Sequence, residues 1–102
     1  MNKRQVYITL KVIRENIEPG GSLTKDISHI LSLVEQEYIK CDRIFLDFKP
    51  YKASGIFITN KGHDFISYAE TLNNSGVDIS QMSYEDIEHF GRAELLSQLG
   101  LE

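Results

Sequence analysis

A few side chains in this chain stand at spacings that chemistry uses. Glu85 and His89 are four apart, and Asp26 and His29 are three apart. Residues at those spacings are neighbours on a helix face, so each pair is half of a metal site. Zinc normally takes three or four protein ligands, and neither pair has a third at a recognisable spacing. No metal site is expected. Cys41 is the single cysteine, which excludes an internal disulfide and a cysteine-built zinc centre. It lies between Lys40 and Asp42 with no histidine nearby in sequence, the setting of an inert packed thiol. His63 follows Gly62 at the start of a predicted helix, where it packs or caps. There is no phosphate-binding loop and no Gly-x-Ser-x-Gly elbow. The reading is therefore of a protein with no catalytic residues and no cofactor, not an enzyme.

The cations suit a different chemistry, contact with anions. Lys25, Ser28, His29 and Ser32 fall on one polar face of a predicted helix, and Lys49, Tyr51 and Lys52 cluster in a predicted turn. Arg4, Lys11 and Arg14 sit together on an earlier helix. Lysine and arginine at such places make phosphate contacts. Charge is also divided along the chain. Residues 1–61 hold ten of the 11 lysines and arginines and seven of the 15 acids, a surplus of three positive charges. Residues 62–102 hold one base and eight acids, a surplus of seven negative. That division predicts a surface with two electrostatic faces.

The elements that must position these residues follow from periodicity. A length of 102 residues predicts one domain with a modest core. Val6, Leu10, Ile13 and Ile17 are spaced four, three and four apart, one stripe of a helix over 3–17. Pro19-Gly20-Gly21 ends it. Ser22 is a predicted N-cap, and Asp26 suits the first turn of a helix. Leu23, Ile27, Ile30, Leu31, Val34 and Tyr38 form its apolar stripe. From Ile39 the chain is rich in β-branched and aromatic residues, with Ile44, Leu46 and Phe48 alternating with Phe45 and Asp47, a half-buried strand. Residues 49–55 are a turn by composition, and Gly55-Ile56-Phe57-Ile58 is the returning strand of a hairpin. Thr59 or Asn60 caps the next helix, which buries Phe65, Ala69 and Leu72 and ends at Asn73-Asn74-Ser75-Gly76. Ser83-Tyr84-Glu85-Asp86 has the form of a capping box. A last helical region over about 84–99 carries Ile87, Phe90, Leu95, Leu96 and Leu99, with Gly91 in its middle as a candidate break into two short helices.

Two stretches carry a family resemblance. Leu33-Val34-Glu35-Gln36-Glu37-Tyr38-Ile39 reads as a helix running into a strand. Ile58-Thr59-Asn60-Lys61-Gly62-His63-Asp64-Phe65 contains the Thr-x-Lys-Gly turn that recurs between a wing and the helix after it. The order helix, helix, hairpin, helix with a short acidic extension resembles the winged helix–turn–helix family, and more narrowly small phage and prophage proteins of the YjcQ type. The resemblance covers about residues 3–72. It implies an α+β fold: a winged-helix domain over 1–74, with an acidic helical extension over 75–102 packed on it. One departure is visible. Only residues 22–38 are available where the family places two helices, so either the second helix is a single turn at 23–28 or one continuous helix replaces the pair.

The resemblance implies a small regulator that binds double-stranded DNA and regulates transcription by occupancy; a cytoplasmic location is expected from the lack of a spanning apolar run or signal-peptide pattern. Lys25, Ser28, His29 and Ser32 would lie in the groove. Lys49, Tyr51 and Lys52 would grip phosphate at the wing tip, with Arg4, Lys11 and Arg14 flanking. The predicted groove face has no arginine, although arginine to guanine is the commonest specific base contact. Phe90, Leu95, Leu96 and Leu99 exceed what one short helix needs to pack on so small a domain, so they are expected to form a homodimer or partner interface. The alternative is a protein-binding adaptor or inhibitor on the same scaffold, binding a basic host protein through its acidic end. No apolar run approaches the ~20 residues that span a bilayer, and Met1 to Leu10 lacks the pattern of a signal peptide.

Overall fold

The first helix caps itself. The side chain of Asn2 accepts the backbone N–H of Gln5, and the side chain of Gln5 accepts that of Asn2, both at 2.9 Å. This reciprocal pair satisfies two of the donors that a helix start leaves open. In a computed structural model, which describes residues 2–17, 20–23, 27–45 and 52–100, the chain is α+β. The described residues form α1 (Lys3–Asn16), β1 (Gly21–Leu23), α2 (Ile27–Glu35), β2 (Ile39–Lys40), β3 (Arg43–Phe45), β4 (Lys52–Ile58), α3 (Asn60–Asn74) and α4 (Tyr84–Leu99).

β4 is the central strand, antiparallel to all the others. β1 runs along one side. β2 and β3 lie end to end along the other, with Ile39 facing Ile58, Lys40 facing Phe57, Arg43 facing Ser54 and Ile44 facing Ala53. One register holds throughout, so β2 and β3 are a single edge strand interrupted at Cys41 and Asp42. The interruption lies beside Gly55, whose φ of 66° is a conformation glycine adopts freely. Against β1, Gly21 faces Ile56 but Ser22 faces Ser54, so Gly55 is an extra, bulged residue. Inward-facing positions change parity across it: Ile58 and Ile56 are buried on one side and Ala53 on the other. Asp42 closes over the bulge. A β-carbon on Gly55 would stand 2.4 Å from an Asp42 carboxylate oxygen.

The core lies between the helices and the inner face of this sheet. Leu10, Ile30, Leu33, Ile56, Ile66 and Ile87 are fully enclosed, each worth roughly 1.5–3 kcal/mol of burial. Val6, Leu10 and Ile13 of α1 are buried and Ile17 partly so, as their spacing predicts. The buried face of α3, Phe65, Ala69 and Leu72 with Ile66, also matches its periodicity.

Several expectations are corrected. Ser22 does not cap a helix; it lies in β1, and α2 starts at Ile27. Among the described residues, 22–38 hold the end of β1 and one nine-residue helix in place of a pair, and that helix does not extend over the whole of 22–38. Gly20, at φ 72°, donates its N–H to the carbonyl of Ile56, and Gly21 donates to that of Ile17, both at 3.0 Å. The chain doubles back here so tightly that a β-carbon on Gly21 would stand 2.2 Å from the Ile17 carbonyl oxygen. That reversal delivers Ser22 to the edge of β4, where ladder hydrogen bonds replace the cap. On α2 the inward stripe is Ile30, Leu33 and Val34, at i, i+3 and i+4, while Leu31 is exposed. Residues 52–55 are not turn but the first half of β4. Leu46, Asp47, Phe48, Lys49, Pro50 and Tyr51 lie outside the described residues, as do Pro19, Lys25 and Asp26.

Gly91 does not break α4, which is continuous. It is buried because α3 passes close beneath it: a β-carbon there would stand 2.4 Å from the Tyr68 β-carbon and 2.8 Å from its α-carbon. The small residue permits a close helix crossing, and Ile87 fills the core beside it. Ser83 caps α4, accepting the N–H of Asp86 at 3.1 Å. Among the described residues no helix is long and apolar enough to cross a membrane.

Candidate nucleic-acid interface

The site is built on the turn that leads out of α2. The N–H of Tyr38 donates to the carbonyl of Leu33 at 3.0 Å, and that of Glu37 donates to Val34 at 2.9 Å. This is the bond pattern of a Schellman cap. Its left-handed position is filled by Glu37, at φ 65°, rather than by glycine. The same pattern ends α3, where Val77 donates to Leu72 and Gly76, at φ 85°, donates to Asn73. The turn after α2 is held from the far end of the sheet. Lys61 Nζ donates to the carbonyl of Gln36 at 3.1 Å, the Thr59 hydroxyl to that of Glu37 at 2.6 Å, and the Thr59 N–H to that of Tyr38 at 3.0 Å. Thr59 Oγ1 also accepts the N–H of Gly62 at 3.0 Å and so caps α3. Gly62 is required there, because a β-carbon would stand 2.2 Å from the Tyr38 carbonyl oxygen. Thr-Asn-Lys-Gly is thus a clamp that closes three successive carbonyls and fixes where the edge strand begins.

From that clamp the edge strand presents Lys40 and Arg43 outward. Both are exposed, and neither makes an ion pair with a described residue. They face Phe57 and Ser54 on β4, and Phe57 is 43% exposed, an unusual position for a phenylalanine. Three residues along a strand separate the two cations by about 10 Å. Asp42, between them, leans over Gly55. The two cations can neutralise phosphates, and the exposed ring opposite Lys40 can stack on a base. Sequence reading missed Lys40, Arg43 and Phe57. Lys40 and Arg43 differ in parity, so simple alternation puts them on opposite faces; the break at Cys41 and Asp42 puts them on one.

The predicted contacts are dispersed. Lys25, Lys49 and Tyr51 lie outside the described residues. Ser28 stands in the first turn of α2, and Lys52 opens β4 opposite Phe45. His29 and Ser32 are half-buried on α2. Lys11 is turned to α3, with its Nζ 3.8 Å from a Glu70 oxygen. Arg4 is exposed and lies toward Asp78, whose carboxyl is held below the ordinary range by hydrogen bonds from Ser80 and, to a smaller extent, by the Arg4 charge. Arg14 is partly exposed.

The second predicted surface is on α4. Phe90 and Leu99 are exposed, Leu96 is just exposed, and Leu95 is half-buried. Phe90, Ala93, Leu96 and Leu99 follow at intervals of three, one inclined ridge across the helix. Beside it an open groove of about 600 Å³ is lined by Leu72, Val77, Met82 and Phe90.

Cys41 is half-buried against the core, and burial first, then the Asp42 charge, pushes its thiol up from the ordinary value. The thiolate is disfavoured, which opposes a nucleophilic role. Among the described residues no three histidine, cysteine or acidic side chains gather as metal ligands. His89 lies against Phe90, ring centres 5.1 Å apart.

Compared with protein families, with curated proteins and with solved structures, the chain finds no match.

Proposed function

We propose that this protein is a small DNA-binding regulator of the winged-helix kind, of phage or mobile-element origin, that holds duplex DNA mainly by its backbone. The observation that carries the reading is the outer sheet face, where Lys40, opposite an exposed Phe57, and Arg43, opposite Ser54, are exposed and make no ion pair with a described residue, on the strand that precedes Lys49 and Lys52 in the sequence. The order helix, strand, helix, hairpin, helix is compatible with a winged-helix layout. α2 is nine residues long and its polar side chains include no arginine, so phosphate contact supplies most of the affinity and base reading little. Two copies pair through the exposed ridge of α4. The test is fluorescence anisotropy with a labelled duplex at two salt concentrations. Binding that weakens steeply with salt is the expected result. Absence of binding at low salt removes the reading.

One observation favours a second reading, a protein-binding adaptor. Phe90, Leu96 and Leu99 expose apolar surface on the half of the chain that carries a surplus of seven negative charges, a surface suited to a basic protein. A partner from the native host retained by the parent chain and lost with Phe90→Ser and Leu99→Ser, together with no DNA binding, would select it.

A further inference from the structure

A cleft of about 180 Å³ opens where the first turns of α3 and α4 meet the turn after α2. It is smaller than the ~300–1,000 Å³ of a typical small-molecule pocket, and takes the end of one side chain. Four rings wall it: Tyr38, Phe65, Tyr68 and Tyr84. Tyr38 and Phe65 stack with centres 4.9 Å apart, and Tyr84 meets both edge-on at 5.5 and 5.8 Å. Three carboxylates, Asp64, Glu85 and Glu88, rim it, against one cation, Lys61, whose Nζ is held by the Gln36 carbonyl.

Three observations point to the kind of ligand. Tyr38 is 97% buried, yet its hydroxyl makes no hydrogen bond with a described residue. Among the described residues no enclosed side-chain polar atom lacks a partner, so that hydroxyl reaches the open cleft. Its ionised form is opposed by burial first and then by Tyr84, Glu88 and Glu85, which puts the phenol among the rim acids. Next, Glu88 is taken by Arg92 at 2.8 Å, whereas Asp64 and Glu85 make no hydrogen bond or ion pair with a described residue. Last, the chain's own cations settle on three of these rings: Lys3 at 4.6 Å from the centre of Tyr84, Lys61 at 5.2 Å from Tyr38 and Arg92 at 5.6 Å from Tyr68. The neighbourhood attracts positive charge, and two carboxylates and one phenol oxygen remain open to it.

We infer that this cleft binds the guanidinium of an arginine presented by a partner protein. A planar guanidinium stacks on a ring while donating in its own plane to carboxylates and to the Tyr38 oxygen. DNA has no such group, so this site is independent of the sheet face and of its proposed ligand.

The test is an NMR titration of the full chain, labelled at tyrosine and phenylalanine rings, with a glycine pentapeptide carrying one central arginine. Ring signals of Tyr38, Tyr68 and Tyr84 should move. A norleucine pentapeptide should leave them in place. Asp64→Asn with Glu85→Gln, both exposed positions, should raise the dissociation constant on the order of tenfold with the amide spectrum otherwise unchanged. Tyr38→Phe, which keeps the ring, should also weaken binding. Free arginine, whose own carboxylate the rim repels, should bind more weakly than the peptide. Silent rings, equal movement with norleucine, or an unchanged affinity in the double variant would overturn the site; tighter binding of free arginine would overturn the protein partner.

Discussion

The hydroxyl of Thr59 donates to the carbonyl of Glu37 at 2.6 Å while accepting the N–H of Gly62. One side chain therefore closes the C-terminus of α2 and opens α3, two elements separated by the whole hairpin. Thr59→Ala should cost about 1–2 kcal/mol, an N-cap and a partner for a helix-end carbonyl. Thr59→Ser should recover most of it. Chemical denaturation of the three proteins measures both.

Gly62 and Gly91 are two helical positions where a single methyl group is disruptive. Gly62→Ala drives a β-carbon into the Tyr38 carbonyl, and Gly91→Ala drives one into Tyr68. Each should destabilise by roughly 2–3 kcal/mol through overpacking. For Gly91 this outweighs the ~1 kcal/mol of helix propensity that alanine supplies. A Gly91→Ala protein as stable as the parent would contradict the close α3–α4 crossing.

Glu37 predicts the opposite sign. It holds a left-handed conformation that glycine takes without penalty. Glu37→Gly should stabilise by about 0.5–1 kcal/mol, because the hydrogen bonds at this position are made by its backbone. Thermal unfolding of the variant reads the sign.

Alkaline pH should weaken the fold. Burial raises the phenols of Tyr38 and Tyr84 above their ordinary value near 10. The unfolded chain then loses these protons first, so stability is complete below pH ~10 and falls as pH rises beyond it, by at most ~1.4 kcal/mol per pH unit per group. Tyr38→Phe keeps the stacked ring and should be near neutral at pH 7 and less sensitive above pH 10. Denaturation at a series of pH values checks this.

For the sheet face, Lys40→Ala with Arg43→Ala should weaken duplex binding across all sequences alike and lower the salt slope by about two. The same change at Lys49 and Lys52 should add to it. If the double variant at 40 and 43 binds as the parent does, the outer face is not the contact.

Local signals carried much of the architecture. Thr59 as a cap, the buried stripes of α1 and α3, the Gly76 terminus and the span of α4 each depend on residues within a few positions of one another, which periodicity and side-chain chemistry specify directly. The exposed apolar row of Phe90, Leu96 and Leu99 also follows from a surplus visible in the chain. Tertiary contact decided the rest. Ser22 joins a sheet because β4 lies beside it; Glu37 takes a glycine's conformation because Thr59 and Lys61 hold its turn; Gly91 stays helical because Tyr68 lies beneath it. Lys40 and Arg43 share a face only because Gly55 bulges β4 across from them. The sequence alone determined which segments are helices and which carry charge. How those segments face one another rests on contacts between residues far apart in the chain, which no local pattern encodes.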